Sequence, residues 1–158
     1  MSFFDKAKKV FHLDENTKLR PYKDSKGYWT IGRGHLIGEQ LTDLSLSLYI
    51  VDELFKEDLA IAIQDARRCV GSVAWDGMSE ARQMATVSML FTLGANKFLK
   101  FDETIEHIKA GEWNDVAEHI LDAKWARDVD PRQVPGEGRD DRVAYMFKTG
   151  CFHPIYKV

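Results

Sequence analysis

Near the start of the chain lie three acids and a threonine. Asp14 and Glu15 are adjacent, Asp24 follows nine residues after Glu15, and Thr30 stands in the run Gly27-Tyr28-Trp29-Thr30-Ile31-Gly32-Arg33-Gly34-His35. Two carboxylates on different elements, in different surroundings, are what hydrolysis of a glycosidic bond needs. One is held protonated and gives its proton to the leaving oxygen; the other serves the opposite face of the sugar. Each acid alone has a plainer explanation. Glu15 suits a solvated helix end, and Asp24 suits an ordinary turn. The two together, with a strand behind them, favour the chemical reading.

The elements that must position these groups can be read from local pattern. Phe3, Phe4, Ala7, Val10 and Phe11 recur at helical spacing and predict a helix from Phe3 to about Asp14. Ser2 is its candidate N-cap, with Asp5 three residues on. Asn16 tolerates the left-handed conformation that closes a helix. Glu15 then lies at a helix C-terminus, where the dipole disfavours a negative charge, as suits a general acid. Arg20 to Lys23 predicts an edge strand, since Pro21 is tolerated there. Asp24-Ser25-Lys26-Gly27 predicts a turn, and Tyr28 to Ile31 a second strand. Gly32, Gly34 and Gly38 mark tight bends. Gly32-Arg33-Gly34-His35 lacks the ending of a phosphate loop.

The rest of the chain predicts helices. Ser47 caps one that runs from Leu48 to about Val70, with Leu46 and Val51 as a hydrophobic staple and Gly71 as its stop. It would be roughly 33 Å long. Ser79 caps a strongly apolar helix over 80–93, closed by Gly94. Asp102 caps another ending before Gly111, and Asn114 caps a third. A last helix covers Arg139 to Lys148, closed by Gly150. Residues 127–139, with two prolines and two glycines, are the nearest thing to a linker.

Composition limits the alternatives. At 158 residues, 44% hydrophobic, the chain suits one compact unit of two lobes. No apolar run approaches a membrane span of about 20 residues, and the charged start has no secretory h-region. The net charge of −3 gives no overall basic field for nucleic acid or membrane. Cys69 and Cys151 are expected to be reduced, buried thiols. His107 and His119 fall on separate helices, and no His-x-x-x-His pair exists, so no metal site is expected. The Met and Phe stripes read as core.

The segment Asp-Glu-x(8)-Asp-x-x-Gly-Tyr-x-Thr-Ile-Gly-x-Gly-His resembles the active-site segment of the phage-type lysozymes, glycoside hydrolase family 24, including the endolysins of the T-even phages. The likeness covers nearly the whole chain. SEARQMATVSMLFTLG is similar to that family's buried helix, and WNDVAEHILDAKW and RVAYMFKTG resemble its C-terminal helices. The resemblance implies a mostly helical α+β, lysozyme-like fold. A small lobe with a β-hairpin sheet (about 12–47) would be joined by a linking helix (about 48–70) to a larger helical lobe (about 71–158), on which helix 1 packs. Glu15 matches the family's catalytic acid, Asp24 its second carboxylate, and Thr30 the threonine close to the attacking water. Leu36, Phe91, Thr104 and His119 stand where relatives contact substrate; Thr104 replaces a serine and His119 an asparagine. The resemblance also implies an ion pair between His35 and Asp58.

The implied activity is that of an endolysin. It would hydrolyse the β-1,4 bond from N-acetylmuramic acid to N-acetylglucosamine in peptidoglycan with inversion, needing no cofactor and no metal. The expected molecule is a monomer acting on bacterial peptidoglycan, with no nucleic acid partner and no stable membrane insertion. It would wait in the host cytoplasm and reach the periplasmic wall through a separate pore protein. Two rival readings are a wall-binding module of the same fold that does not cut, and a lytic transglycosylase that dispenses with Asp24.

Overall fold

A computed structural model of the chain describes residues 1–15, 17–37, 45–130 and 138–158, with Glu15 described through its backbone alone. Asn16, expected to close helix 1, and Gly38, expected to bend the chain, lie outside the described residues. The fold is α+β and mostly helical, as expected, with one small antiparallel sheet. Two compact units divide it, Met1–Ile61 and Ala62–Val158.

In the first unit, α1 (Phe3–Glu15) begins at a reciprocal cap. The Ser2 hydroxyl accepts from the Asp5 amide at 3.2 Å, and the Asp5 carboxylate accepts from the Ser2 amide at 3.1 Å. Ala7, Val10 and Phe11 on its inner face are fully buried. Next come β1 (Lys18–Lys23), β2 (Trp29–Gly32) and β3 (His35–Leu36), in spatial order β1-β2-β3. Tyr22 pairs with Thr30, and Thr30 in turn with Leu36. The β1–β2 register slips between Lys18 and Tyr22, the stretch that holds Pro21, where a missing amide is tolerated. At the tip, Gly27 has φ +85°, which a residue with a Cβ enters only at a cost.

The helix α2 (Leu48–Val70) starts at Ser47, whose hydroxyl accepts from the Ile50 amide at 3.4 Å. Val51, Phe55 and Leu59 are buried. Phe55 packs against Phe11 and Phe4 at ring distances of 5.3 and 5.8 Å. A Cβ on Gly32 would stand 3.3 Å from Val51 Cγ1, so the end of β2 lies against α2 with little room between them. The division between the units falls inside α2, at Ile61.

The second unit is helical. After the end of α2 come α3 (Ser72–Gly77), α4 (Glu80–Leu93), α5 (Ala95–Phe98), α6 (Asp102–Ala110), α7 (Trp113–Asp122), α8 (Lys124–Val129), α9 (Arg139–Thr149) and a 3-10 turn at Pro154–Tyr156. At its centre is α4, where Ala81 and the run from Met84 to Leu90 are buried on every face. The Ser79 hydroxyl caps it, accepting from the Arg82 amide at 3.3 Å. The same hydroxyl donates to the Gly150 carbonyl at 2.8 Å and so ties the start of α4 to the end of α9.

Three expectations need correction. Asp102 is not a cap: it is the first residue of α6, and Phe101 holds the cap position. The Phe101 carbonyl already accepts the first helical bond, from Ile105 at 2.9 Å. Asn114 is not a cap either, because α7 starts at Trp113 and its first bond runs from the Val116 amide to the Glu112 carbonyl at 3.1 Å. Cys69 is buried, and that burial pushes its thiol pKa up. Cys151, by contrast, is exposed and free. It follows Gly150, which takes the left-handed conformation that ends α9 and turns the chain outward. Of the linker stretch, residues 127–129 belong to α8, and 131–137 lie outside the described residues.

Candidate active site

The hairpin positions Asp24 by backbone hydrogen bonds. Asp24 Oδ1 accepts from the Lys26 amide at 2.9 Å and from the Tyr28 amide at 2.8 Å. That is an Asx-type turn, so Asp24 does serve the turn. One oxygen holds the tip, and the other accepts no hydrogen bond among the described residues. Asp24 is half-buried, so the second oxygen keeps access to water.

The Tyr28 carbonyl joins Asp24 to Thr30. It accepts from the Asp24 amide at 2.9 Å and from Thr30 Oγ1 at 3.2 Å. Thr30 is only 4% exposed. Its hydroxyl spends its one proton on this carbonyl, which leaves the oxygen as an acceptor towards anything else. Direct antiparallel partners project to the same face of a sheet. Tyr22, Thr30 and Leu36 therefore share one face, with Leu36 exposed at its edge.

Glu15 is the last residue of α1, as the helix-end argument requires; its side chain lies outside the described residues. Beyond the helix end, Thr17 Oγ1 lies 3.0 Å from His12 Nδ1. The residues Glu15 and Asp24 thus belong to the same compact unit, one at a helix end and one at a hairpin turn.

Two polar ties hold the hairpin to α2. His35 Nδ1 lies 2.9 Å from Asp58 Oδ2, the expected pair. The second tie has no counterpart among the expectations: Arg33, only 8% exposed, reaches Asp52 at 2.5 Å, and Lys8 of α1 reaches the same carboxylate at 2.6 Å. Burial alone would push the Asp52 carboxyl up, but the hydrogen bonds and charges of Lys8 and Arg33 outweigh it and hold the carboxyl below its ordinary value. The sequence shows Arg33 only as a residue between two glycines, and no local pattern marks it as buried.

The other expected contact residues lie in the second unit. Phe91 is half-buried near the end of α4. Thr104 is buried on α6 at 3% exposure, which leaves little of its hydroxyl to solvent. His119 sits on α7, its Nδ1 3.7 Å from Glu103 of α6, so Thr104 and His119 stand on helices joined by a side-chain pair. Leu36, in the first unit, is the most exposed of the four.

The sequence profile of the family described as phage lysozyme matches residues 13–139. Two curated proteins of Dictyostelium discoideum, "Probable T4-type lysozyme 1" and "Probable T4-type lysozyme 2", are 26% and 27% identical to this chain. The alignments cover 92% and 90% of it and 95% and 94% of those proteins. The pre-baseplate central spike protein Gp5 of Enterobacteria phage T4 is 29% identical across 89% of this chain, which spans 27% of that longer protein. The match begins two residues before Glu15 and takes in the whole hairpin and α2 to α8: the chain belongs to the phage lysozyme family.

Proposed function

We propose that the protein is a muramidase that hydrolyses the β-1,4 bond between N-acetylmuramic acid and N-acetylglucosamine in bacterial peptidoglycan, with inversion, and that it serves as an endolysin. The observation that carries this reading is the Tyr28 carbonyl shared by Asp24 and Thr30. It makes the Thr30 oxygen an acceptor, and Asp24, whose amide shares that carbonyl, keeps a second carboxylate oxygen as an acceptor. A water held by two acceptors gives up both protons to hydrogen bonds and turns a lone pair outward. That lone pair is what attacks the anomeric carbon. Glu15, at the negative end of α1, supplies the proton to the leaving oxygen on the other face.

Phe91, Thr104, His119 and Leu36 would contact the glycan. No cofactor is needed for this chemistry, and the reading takes the protein as a monomer. Before lysis it would stay in the host cytoplasm and meet the wall through a separate pore protein. Among the described residues no helix is long and apolar enough to cross a membrane. Cells that express the protein alone should then remain intact. Lysis without any pore protein would overturn that part of the proposal.

The reaction is tested on purified peptidoglycan, with proton NMR of a fresh digest read before mutarotation. The wild type should release new reducing ends with the α-anomer of muramic acid first. Glu15→Gln should lower the rate at least about a hundredfold while far-ultraviolet circular dichroism stays unchanged. Full activity in that variant would sink the role of Glu15, and a β-anomer burst would sink inversion. Wall binding without any new reducing ends would mean a binding module.

A further inference from the structure

The α6–α7 corner gathers ligating groups that the hydrolytic reading does not use. Gly111 ends α6 in the left-handed conformation, at φ +75°, and the chain folds back so that the Glu112 amide donates to the His107 carbonyl at 3.0 Å. Glu112 thereby comes beside His107, with Oε2 2.6 Å from Nδ1. Glu112 also starts α7, which brings Asp115 round to the same point. His107, Glu112 and Asp115 each offer one ligand atom, all within 4.8 Å of one another. The ring of His119 meets that of His107 edge-on at 4.8 Å, and Glu103 faces His119.

A plain ion pair accounts for His107 and Glu112, and Asp115 lies in the first turn of α7, where the helix dipole favours an acid; beyond those roles the three groups meet at one point. Two carboxylates converge on one imidazole, and a third acid stands behind the second imidazole. Among the described residues none of these three acids pairs with a lysine or arginine. Like charges brought together in this way are relieved by a cation between them, a place that a protonated His107 or a metal ion can take. An imidazole with two carboxylates suits zinc-class ions, whereas magnesium and calcium prefer all-oxygen shells. With bonds of about 2.0–2.2 Å, ligand atoms on a four-coordinate zinc stand about 3.4 Å apart. Modest rotamer changes in exposed side chains cover the difference.

We propose that His107, Glu112 and Asp115 form a surface site for one divalent transition-metal ion of the zinc class, with water completing its shell. The site rests on two helix ends and a glycine turn, so its backbone is already in place, and its exposure leaves an open path from solvent. It is independent of the reading of Glu15 and Asp24.

Calorimetric titration of the full chain with zinc chloride should show one equivalent bound, and magnesium chloride at the same concentration none. His107→Ala and Asp115→Asn should each weaken zinc binding by about tenfold or more. Long-range proton–nitrogen spectra of the wild type check the position without a variant: zinc should move the ring resonances of His107. No zinc heat, equal magnesium binding, unchanged affinity in either variant, or shifts at other histidines with His107 unmoved would each overturn the site.

Discussion

The hairpin that carries Asp24 and Thr30 and the helical unit after Ile61 are held by different forces. Of the hairpin's large apolar side chains only Ile31 is fully buried. Its shape comes from directional ties: the shared Tyr28 carbonyl, the two amides on Asp24 Oδ1, the His35–Asp58 pair, and Arg33 on Asp52. In the helical unit Met84, Met89, Phe98, Ile108, Ile120, Met146 and Phe147 are all fully buried. Apolar burial is strong but non-directional, whereas a hydrogen bond fixes both distance and angle. On the proposed reading, in which a carboxylate and a hydroxyl share a water, the hairpin needs the second kind of restraint.

This contrast can be broken by substitution. Phe147→Ala should be the most damaging to stability, at roughly 3–5 kcal/mol for a fully buried phenylalanine, read by denaturant melts. Specific activity per folded molecule should change little; a loss of activity well beyond the loss of fold would mean that the core also sets the site. Asp52→Asn should cost less, about 2 kcal/mol. Roughly 3–5 kcal/mol is lost when a fully buried pair is broken, and the Asp52 side chain keeps 24% of its exposure.

The same carboxylate predicts a pH dependence. The folded-state pKa of Asp52 lies below its ordinary value of 3.8. Its stabilisation is therefore present above the unfolded value and is lost as pH falls through the lower, folded one. The gap in stability between wild type and Asp52→Asn should narrow below about pH 4. A gap that stays constant down to pH 2 would show that charge is not the source. Smallest in stability should be Gly27→Ala, at about 1 kcal/mol, because φ there is positive and a Cβ meets nothing within 4 Å. Its activity should fall by more than its stability, since Gly27 donates to the Asp24 carbonyl at 3.0 Å. Asparagine, which tolerates the left-handed region, should recover part of both. If alanine leaves activity intact, the hairpin tip is a passive turn.

Much of this is legible in the residues and their spacing. The extents of α1, α2, α4 and α9 and the caps at Ser2, Ser47 and Ser79 follow from apolar period and capping chemistry, which act within a few residues. The hairpin follows from Asp24, Gly27 and the aromatic run after them. The short helices α3, α5 and α8 carry no such signal. A helix of four to six residues cannot pay for its own nucleation and exists only where packing holds it. The starts of α6 and α7 differ from expectation for the same reason: the preceding turn, not the polar residue, begins each helix.

By itself the sequence determined which groups are present and which elements carry them: an acid at the end of α1, a second at a hairpin tip, a threonine on the returning strand. These are local facts, set by residue type and spacing of ten residues or fewer. Only the tertiary structure decided that Tyr28 lends one carbonyl to both Asp24 and Thr30, that Arg33 is buried on Asp52, and that Glu112 and Asp115 converge on His107. Each of those depends on where a chain bend places a side chain, and hydropathy carries no trace of that for a charged residue.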